Sequence, residues 1–226
     1  MAQFPFDIVG FDLDGTLLDT HADLGAAVNH ALAQAGRPAI PIAEVRNLIG
    51  GGGRTMLKRA LELTGSVPQA EFDELHAALL AHYQANIAVH TRLYPGGEAM
   101  LDALAERGVR LAVVTNKLEA LSRQLLDALD LSARFFTVIG GDTLGPGRAK
   151  PSRDPIDAMI ARGAGPGGDG RAAFVGDTTF DTGAARAAGI PCVAVSFGFN
   201  DIAPNEMGAQ AVISHFDELI PALAKL

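Results

Sequence analysis

The chain has 226 residues, 48% hydrophobic and 19% charged, with a formal net charge of −8. That composition suits a globular protein with a substantial core and excludes a disordered segment, and the acidic balance with no Lys/Arg run excludes general attraction to nucleic acid. No apolar stretch reaches the roughly 18 residues of a membrane span, Met1-Ala2-Gln3-Phe4-Pro5 lacks the basic and apolar regions of a signal peptide, and the single Cys192, within Ile190-Pro191-Cys192-Val193-Ala194-Val195, reads as a buried thiol of a cytoplasmic protein.

The first apolar run, Phe6-Asp7-Ile8-Val9-Gly10-Phe11, reads as a strand that ends in Asp12-Leu13-Asp14-Gly15. Strand alternation predicts that Asp12 and Asp14 point the same way. Two carboxylates brought close call for a cation with oxygen ligands, for which magnesium is suited, and Gly15 lets the chain leave the strand. Thr20-His21-Ala22-Asp23 has the form of a capping box, opening an Ala/Leu-rich helix that Gly36 ends. Pro41 opens a second helix, the run Gly50-Gly51-Gly52-Gly53 a loop, Arg54 a third helix, and Pro68 a fourth that continues towards His90. From 97 onward the pattern alternates: helix 97–107, strand 109–114, helix 118–129, strand 135–139, helix 155–162, strand 172–175, helix 181–188 and strand 192–195. Such alternation predicts an α/β fold, a Rossmann-like parallel-sheet core with helices on both faces. The all-helical block after the first strand is then an inserted cap: 1–19 and 92–226 form the core, 20–91 the cap.

Ligands of an open parallel sheet bind beyond the carboxyl ends of its strands. Those ends carry Asp12 and Asp14, then Thr115-Asn116-Lys117, then Gly140-Gly141-Asp142 with Lys150-Pro151 further on, then Gly176-Asp177-Thr178-Thr179-Phe180-Asp181. Each has an ordinary reading: Thr115 as an N-cap, Lys150 as a solvated charge, Asp177 and Asp181 as turn and cap residues. Their coincidence at successive strand ends favours a site.

These four motifs, in this order and with a helical insertion between the first and second, resemble the haloacid dehalogenase superfamily over essentially the whole chain. The resemblance implies that Asp12 is the nucleophile and forms an aspartyl-phosphate, and that Asp14 is the general acid and base. It implies Mg2+ held by Asp12, Asp177 and the main-chain carbonyl of Asp14, with Thr115, Asn116 and Gly15 about the phosphoryl oxygens. Lys150 would neutralise the nucleophile and the phosphoryl group, and Asp181 and Thr178 would support. Asp14 separates phosphatases from dehalogenases, which need no acid on a leaving halide. Lys58, in a helical Lys-Arg-Ala pattern, looks solvated rather than like the Schiff-base lysine of a phosphonatase.

The segment from Asn47 to Arg54, His90-Thr91-Arg92-Leu93-Tyr94-Pro95-Gly96 and Gly140-Gly141-Asp142-Thr143 resemble bacterial phosphoglycolate phosphatases. That likeness implies a small phosphorylated metabolite, 2-phosphoglycolate, as substrate, with the glycine-loop N–H groups or Arg54 receiving its carboxylate. One departure is Arg153, where relatives carry a second proline; it could add positive charge near the site. Other small phosphate esters, a phosphomutase and a receiver-type phosphoacceptor share parts of the motif set, and the chain could act as a monomer or homodimer. Gly163-Ala164-Gly165-Pro166-Gly167-Gly168 precedes a strand and is read as a loop, not a dinucleotide site. His76 and His82 are read as helix-surface residues and Asp142 as a turn residue.

Overall fold

β1 (Ile8–Phe11) lies inside the sheet of the computed structural model, which describes residues 4–65, 67–164 and 170–226. All four of its residues are buried, as expected of a parallel strand covered on both faces. The chain then turns through Asp14 and Gly15 into β2 (Leu18–Asp19) and enters the helical block. There α1 (His21–Gln34) packs on the single turn α2 (Ile42–Val45), on α3 (Gly52–Thr64) and on α4 (Gln69–Ala85). The return is β3 (Arg92–Leu93), antiparallel to β2, so the two crossings between helices and sheet run side by side.

After β3 come α5 (Gly97–Glu106), β4 (Arg110–Val114), α6 (Glu119–Ala128), β5 (Thr137–Ile139), α7 (Asp154–Gly163), β6 (Ala172–Gly176), α8 (Thr179–Ala188) and β7 (Cys192–Val195). β8 (Ala211–Ile213) and α9 (Leu219–Leu223) close the chain. Among the described residues the strands other than β2 and β3 form a parallel six-stranded sheet in the order β5-β4-β1-β6-β7-β8. Ile8 lies between Arg110 and Ala172, a register that brings the carboxyl ends of β1, β4 and β6 to one edge.

Alternation divides the core. Ile8, Ala112, Val114 and Phe174 face Ile156 and Met159 of α7 and Ala184 and Ala185 of α8. Val9, Phe11, Val113 and Val175 face the other way, in a cluster with Leu101 and Leu104 of α5, Leu125 of α6 and Leu219 of α9. The second cluster continues into the helical block through Leu24, Val28, Leu57 and Leu79, so the apolar core does not stop at the β2–β3 crossing.

Several expectations change. Thr20 stands at the N-terminus of α1 without a side-chain cap, and Asp23 does not close a capping box. Asp23 instead accepts from the main-chain N–H groups of His90 and Thr91 and from the Thr91 hydroxyl (2.7–3.0 Å), fastening α1 to the return segment. Asp23→Ala would strand three donors, and urea unfolding should show a loss of about 2–4 kcal/mol; a change under about 0.5 kcal/mol would contradict this role. The glycine run is only partly a loop, since Gly52 and Gly53 open α3. α4 ends at Ala85, short of His90. β2, β3, β8 and α9 were not expected; each is five residues or fewer, too short for a periodic signal. The glycine motif that begins at Gly163, and Met1 to Gln3 at the start of the chain, lie partly or wholly outside the described residues.

Candidate active site

Each motif follows the strand expected of it, and their side chains converge. Asp12 lies one residue beyond β1, its N–H donating to the Val175 carbonyl at 2.9 Å. Because β1 ends at Phe11, alternation does not govern the pair: Asp12 and Asp14 meet different partners. Lys150 Nζ is 2.9 Å from Asp12, 2.7 Å from Asp181 and 2.7 Å from the Val114 carbonyl, with its side chain 1% exposed. Lys117 Nζ donates to both oxygens of Asp14, at 2.6 and 2.8 Å. It also stands 4.6 Å from the centre of the Tyr83 ring. Lys117 and Tyr83 are the site residues sequence reasoning missed. The lysine ends the Thr115-Asn116-Lys117 segment, where spacing alone assigns it no role, and nothing local links it to a tyrosine on α4.

Beyond β6, Asp177 accepts from the Thr16 hydroxyl at 2.7 Å and from the Phe199 N–H at 2.7 Å, while Asn200 holds its main-chain carbonyl at 2.7 Å. Asp181 closes the capping box at the start of α8: one oxygen accepts from the Thr178 N–H and hydroxyl and the Asp177 N–H, the other from Lys150. Its cap and site roles are therefore one arrangement. Gly15 has φ +85°, and a Cβ there would fall 2.3 Å from an Asp177 oxygen. Its N–H already donates to the Leu18 carbonyl at 2.9 Å, so Gly15 gives room rather than a donor.

The electrostatics follow from burial. Asp12 is pushed up to about 6 by burial, with Lys150 opposing and Asp181 and Asp14 adding to the rise. Asp177 is raised well above the ordinary carboxylate range by burial and by the charges of Asp181 and Asp12. Burial alone would lower Lys150, but Asp12 and Asp181 outweigh it and keep the ammonium charged. One oxygen from each of Asp12, Asp177 and Asp181 lies within 4.8 Å of the others, all three residues buried. Three carboxylates against one ammonium leave uncompensated negative charge among hard oxygen donors, an environment that fits a divalent cation. Asp181 already accepts four hydrogen bonds, three of them on one oxygen, whereas each Asp177 oxygen accepts one and Asp12 faces Lys150 alone, so Asp12 and Asp177 keep the greater lone-pair capacity to hold it.

Over this edge lies a cavity of about 350 Å3, lined by Asp12, Asp14, Thr115, Asn116, Lys117 and Lys150 from below. Gly50 to Thr55, His76, Leu79 and Tyr83 of the helical block form its other wall. Thr115 is not at a helix start, because α6 begins at Glu119; its hydroxyl accepts from the Lys117 N–H at 3.2 Å. The Asn116 amide donates to the Lys150 carbonyl at 3.1 Å and so ties two motif loops together. Asp142 sits in a turn and accepts from the Glu119 N–H at 2.8 Å, serving the start of α6. Gly52, at φ +82°, would bring a Cβ to 3.0 Å from the Asn116 carbonyl, a close approach of helical block to sheet.

Arg54 lines the cavity, yet its guanidinium lies on Asp73 at 2.8 Å and over the Phe72 ring at 4.9 Å. His76 is a cavity residue rather than a surface one, whereas His82 stacks on His30. Arg153 pairs with Asp157 at 2.6 Å on the surface and does not reach the cavity, because it sits where α7 begins. Lys58 is exposed, as expected.

The model of the family described as haloacid dehalogenase-like hydrolase matches residues 9–195. A phosphoglycolate phosphatase of Agrobacterium fabrum is 40% identical over 94% of this chain and 90% of its own. One from Mesorhizobium japonicum is 41% identical over 96% and 95%. The crystal structure of a predicted phosphoglycolate phosphatase from Haemophilus somnus superposes with a TM-score of 0.88 at 29% identity, covering 98% of each chain. Among the described residues no helix is long and apolar enough to cross a membrane.

Proposed function

Because the chain belongs to the haloacid dehalogenase-like hydrolase family and is one of its phosphatases, we propose that it hydrolyses 2-phosphoglycolate to glycolate and phosphate through a phosphoryl group carried on Asp12. One observation carries the reading: Asp12 and Asp14 line one cavity but are held by different lysines, Lys150 and Lys117. Two carboxylates in different environments can take different roles. Asp12 attacks phosphorus as the ester oxygen departs, and Asp14 gives that oxygen its proton. Water then attacks the phosphorus of the acyl phosphate and loses its proton to Asp14, freeing phosphate and the Asp12 carboxylate.

The rest of the site positions and neutralises, which is most of what phosphoryl transfer requires. Lys150 compensates Asp12 and the incoming phosphoryl oxygens. The Thr115 hydroxyl and the Asn116 N–H donate to those oxygens. Asp12, Asp177 and the main-chain carbonyl of Asp14 would hold Mg2+, with Asp181 and Thr178 fixing the loop behind them. When bound, that ion supplies positive charge opposite the phosphoryl oxygens. Residues 20–91 act as a cap that selects the ester, on a core of 1–19 and 92–226. The paired crossing of β2 and β3 and the cavity wall contributed by the helices support this division. The names of the relatives support the substrate, and the lone buried cysteine supports a cytoplasmic place of action.

Phosphate release from a panel of phosphomonoesters, with magnesium and after chelation, tests the proposal. The expected result is metal-dependent release with the highest kcat/KM on 2-phosphoglycolate. Equal or better turnover of sugar phosphates would remove the substrate, and undiminished turnover after chelation would remove the ion.

A further inference from the structure

We propose that Lys117 of the sheet edge and Tyr83 of α4 together form the receptor for the substrate carboxylate; this rests on the 2-phosphoglycolate reading above. In that ester one methylene separates the bridging oxygen from the carboxylate carbon, so the carboxylate oxygens fall about 3 Å from the bridging oxygen. Asp14 must reach the bridging oxygen to protonate it, and the carboxylate therefore lands beside Asp14. The cation beside Asp14 is Lys117, 2.6 Å away. Its ammonium has three protons, and the Asp14 oxygens take two.

Tyr83 supplies the independent sign of a ligand. Its side chain is 2% exposed and lines the cavity, and its hydroxyl makes no well-formed hydrogen bond, with the neighbouring Lys117 ammonium acting on it only from beyond good geometry. A buried hydroxyl left unpaired is costly, and such groups in folded proteins ordinarily have a partner. Burial pushes the phenol up to about 12, so it stays protonated and can donate. Its ring lies against the Lys117 ammonium, so an anion placed there meets a charge and a hydroxyl donor together.

The other cations that line the cavity among the described residues are otherwise engaged. Lys150 is committed to Asp12, Asp181 and the Val114 carbonyl. Arg54 is paired with Asp73, with more than half of its side chain exposed. His76 is held below its ordinary range by burial and by Arg54, and so is neutral near pH 7. Leu24, Met56 and Leu79 add apolar surface to the same wall. Because Lys117 comes from the loop after β4 and Tyr83 from the helical block, the receptor is whole only with that block seated on the sheet.

The test is the ratio of kcat/KM for 2-phosphoglycolate to that for ethyl phosphate, which keeps the ester and lacks the carboxylate. In Lys117→Met the ratio should fall about 100-fold, and in Tyr83→Phe about 10-fold. A ratio that stays at the wild-type value in Tyr83→Phe, or a collapse in Arg54→Gln with Lys117→Met unchanged, would overturn the assignment. Equal losses on both esters in Lys117→Met would mean that the lysine acts only through Asp14, which also overturns it. If Lys117→Met is inactive on both, the Tyr83→Phe ratio decides. A wild type with no preference for 2-phosphoglycolate would instead overturn the substrate reading, a result distinct from a preference that survives both substitutions.

Discussion

Asp12→Asn is expected to lower phosphate release by about 10^4-fold or more, while making the metal-free protein more stable than the wild type. The first effect follows from the loss of the attacking oxygen. The second follows from burial: Asp12 is raised from 3.8 to about 6, so the folded state binds its proton more tightly than the unfolded chain does. Between those two values the folded state holds more protons, and its stability falls as pH rises through that window. At neutral pH the ionised carboxylate therefore costs on the order of 2–3 kcal/mol, which asparagine avoids. Urea unfolding in chelator should show an advantage for Asp12→Asn near pH 7 that shrinks as pH falls from about 6 towards 4. A variant less stable than the wild type at pH 7, with a gap independent of pH, would contradict the site electrostatics. Activity within about tenfold of the wild type would contradict the role of Asp12.

Lys150→Met should damage both properties. Its ammonium lies between two buried carboxylates and a carbonyl, so an apolar side chain leaves Asp12 and Asp181 without their counter-ion. Breaking a buried pair from one side costs about 3–5 kcal/mol. The Lys150 pKa is raised in the folded state, so its contribution is present in full at neutral pH and would be lost only as pH rises through that raised value. Turnover should fall about 10^3-fold, since a charge aimed at the developing phosphoryl charge is removed. Unfolding and turnover assays that both stay near wild type would show that the lysine is dispensable.

What could be read in the sequence was what topology dictates. An apolar run ending in Asp12-Leu13-Asp14-Gly15 must bring its acids to the carboxyl end of a strand, and parallel neighbours must bring Thr115, Lys150 and Asp177 to the same edge. Local patterns that depend on distant partners were not legible. Thr20 and Asp23 have capping-box spacing, but the donors that reach Asp23 come from His90 and Thr91. Lys117 and Tyr83 meet only because α4 lies over the sheet edge, a contact with no signature in either segment. Arg153 suggested extra charge near the site, yet its nearest acid is Asp157, one helical turn away. β8 and α9 were missed because three apolar residues and a five-residue helix containing Pro221 carry no period to detect.

The most direct measurement is to quench the enzyme during turnover of 2-phosphoglycolate and map covalent phosphate by peptide mass spectrometry. The expected result is a hydroxylamine-labile phosphoryl group on the peptide containing Asp12, absent from Asp12→Asn. Phosphate on another residue, or steady turnover with no covalent phosphate at any quench time and no loss in Asp12→Asn, would contradict nucleophilic attack by Asp12.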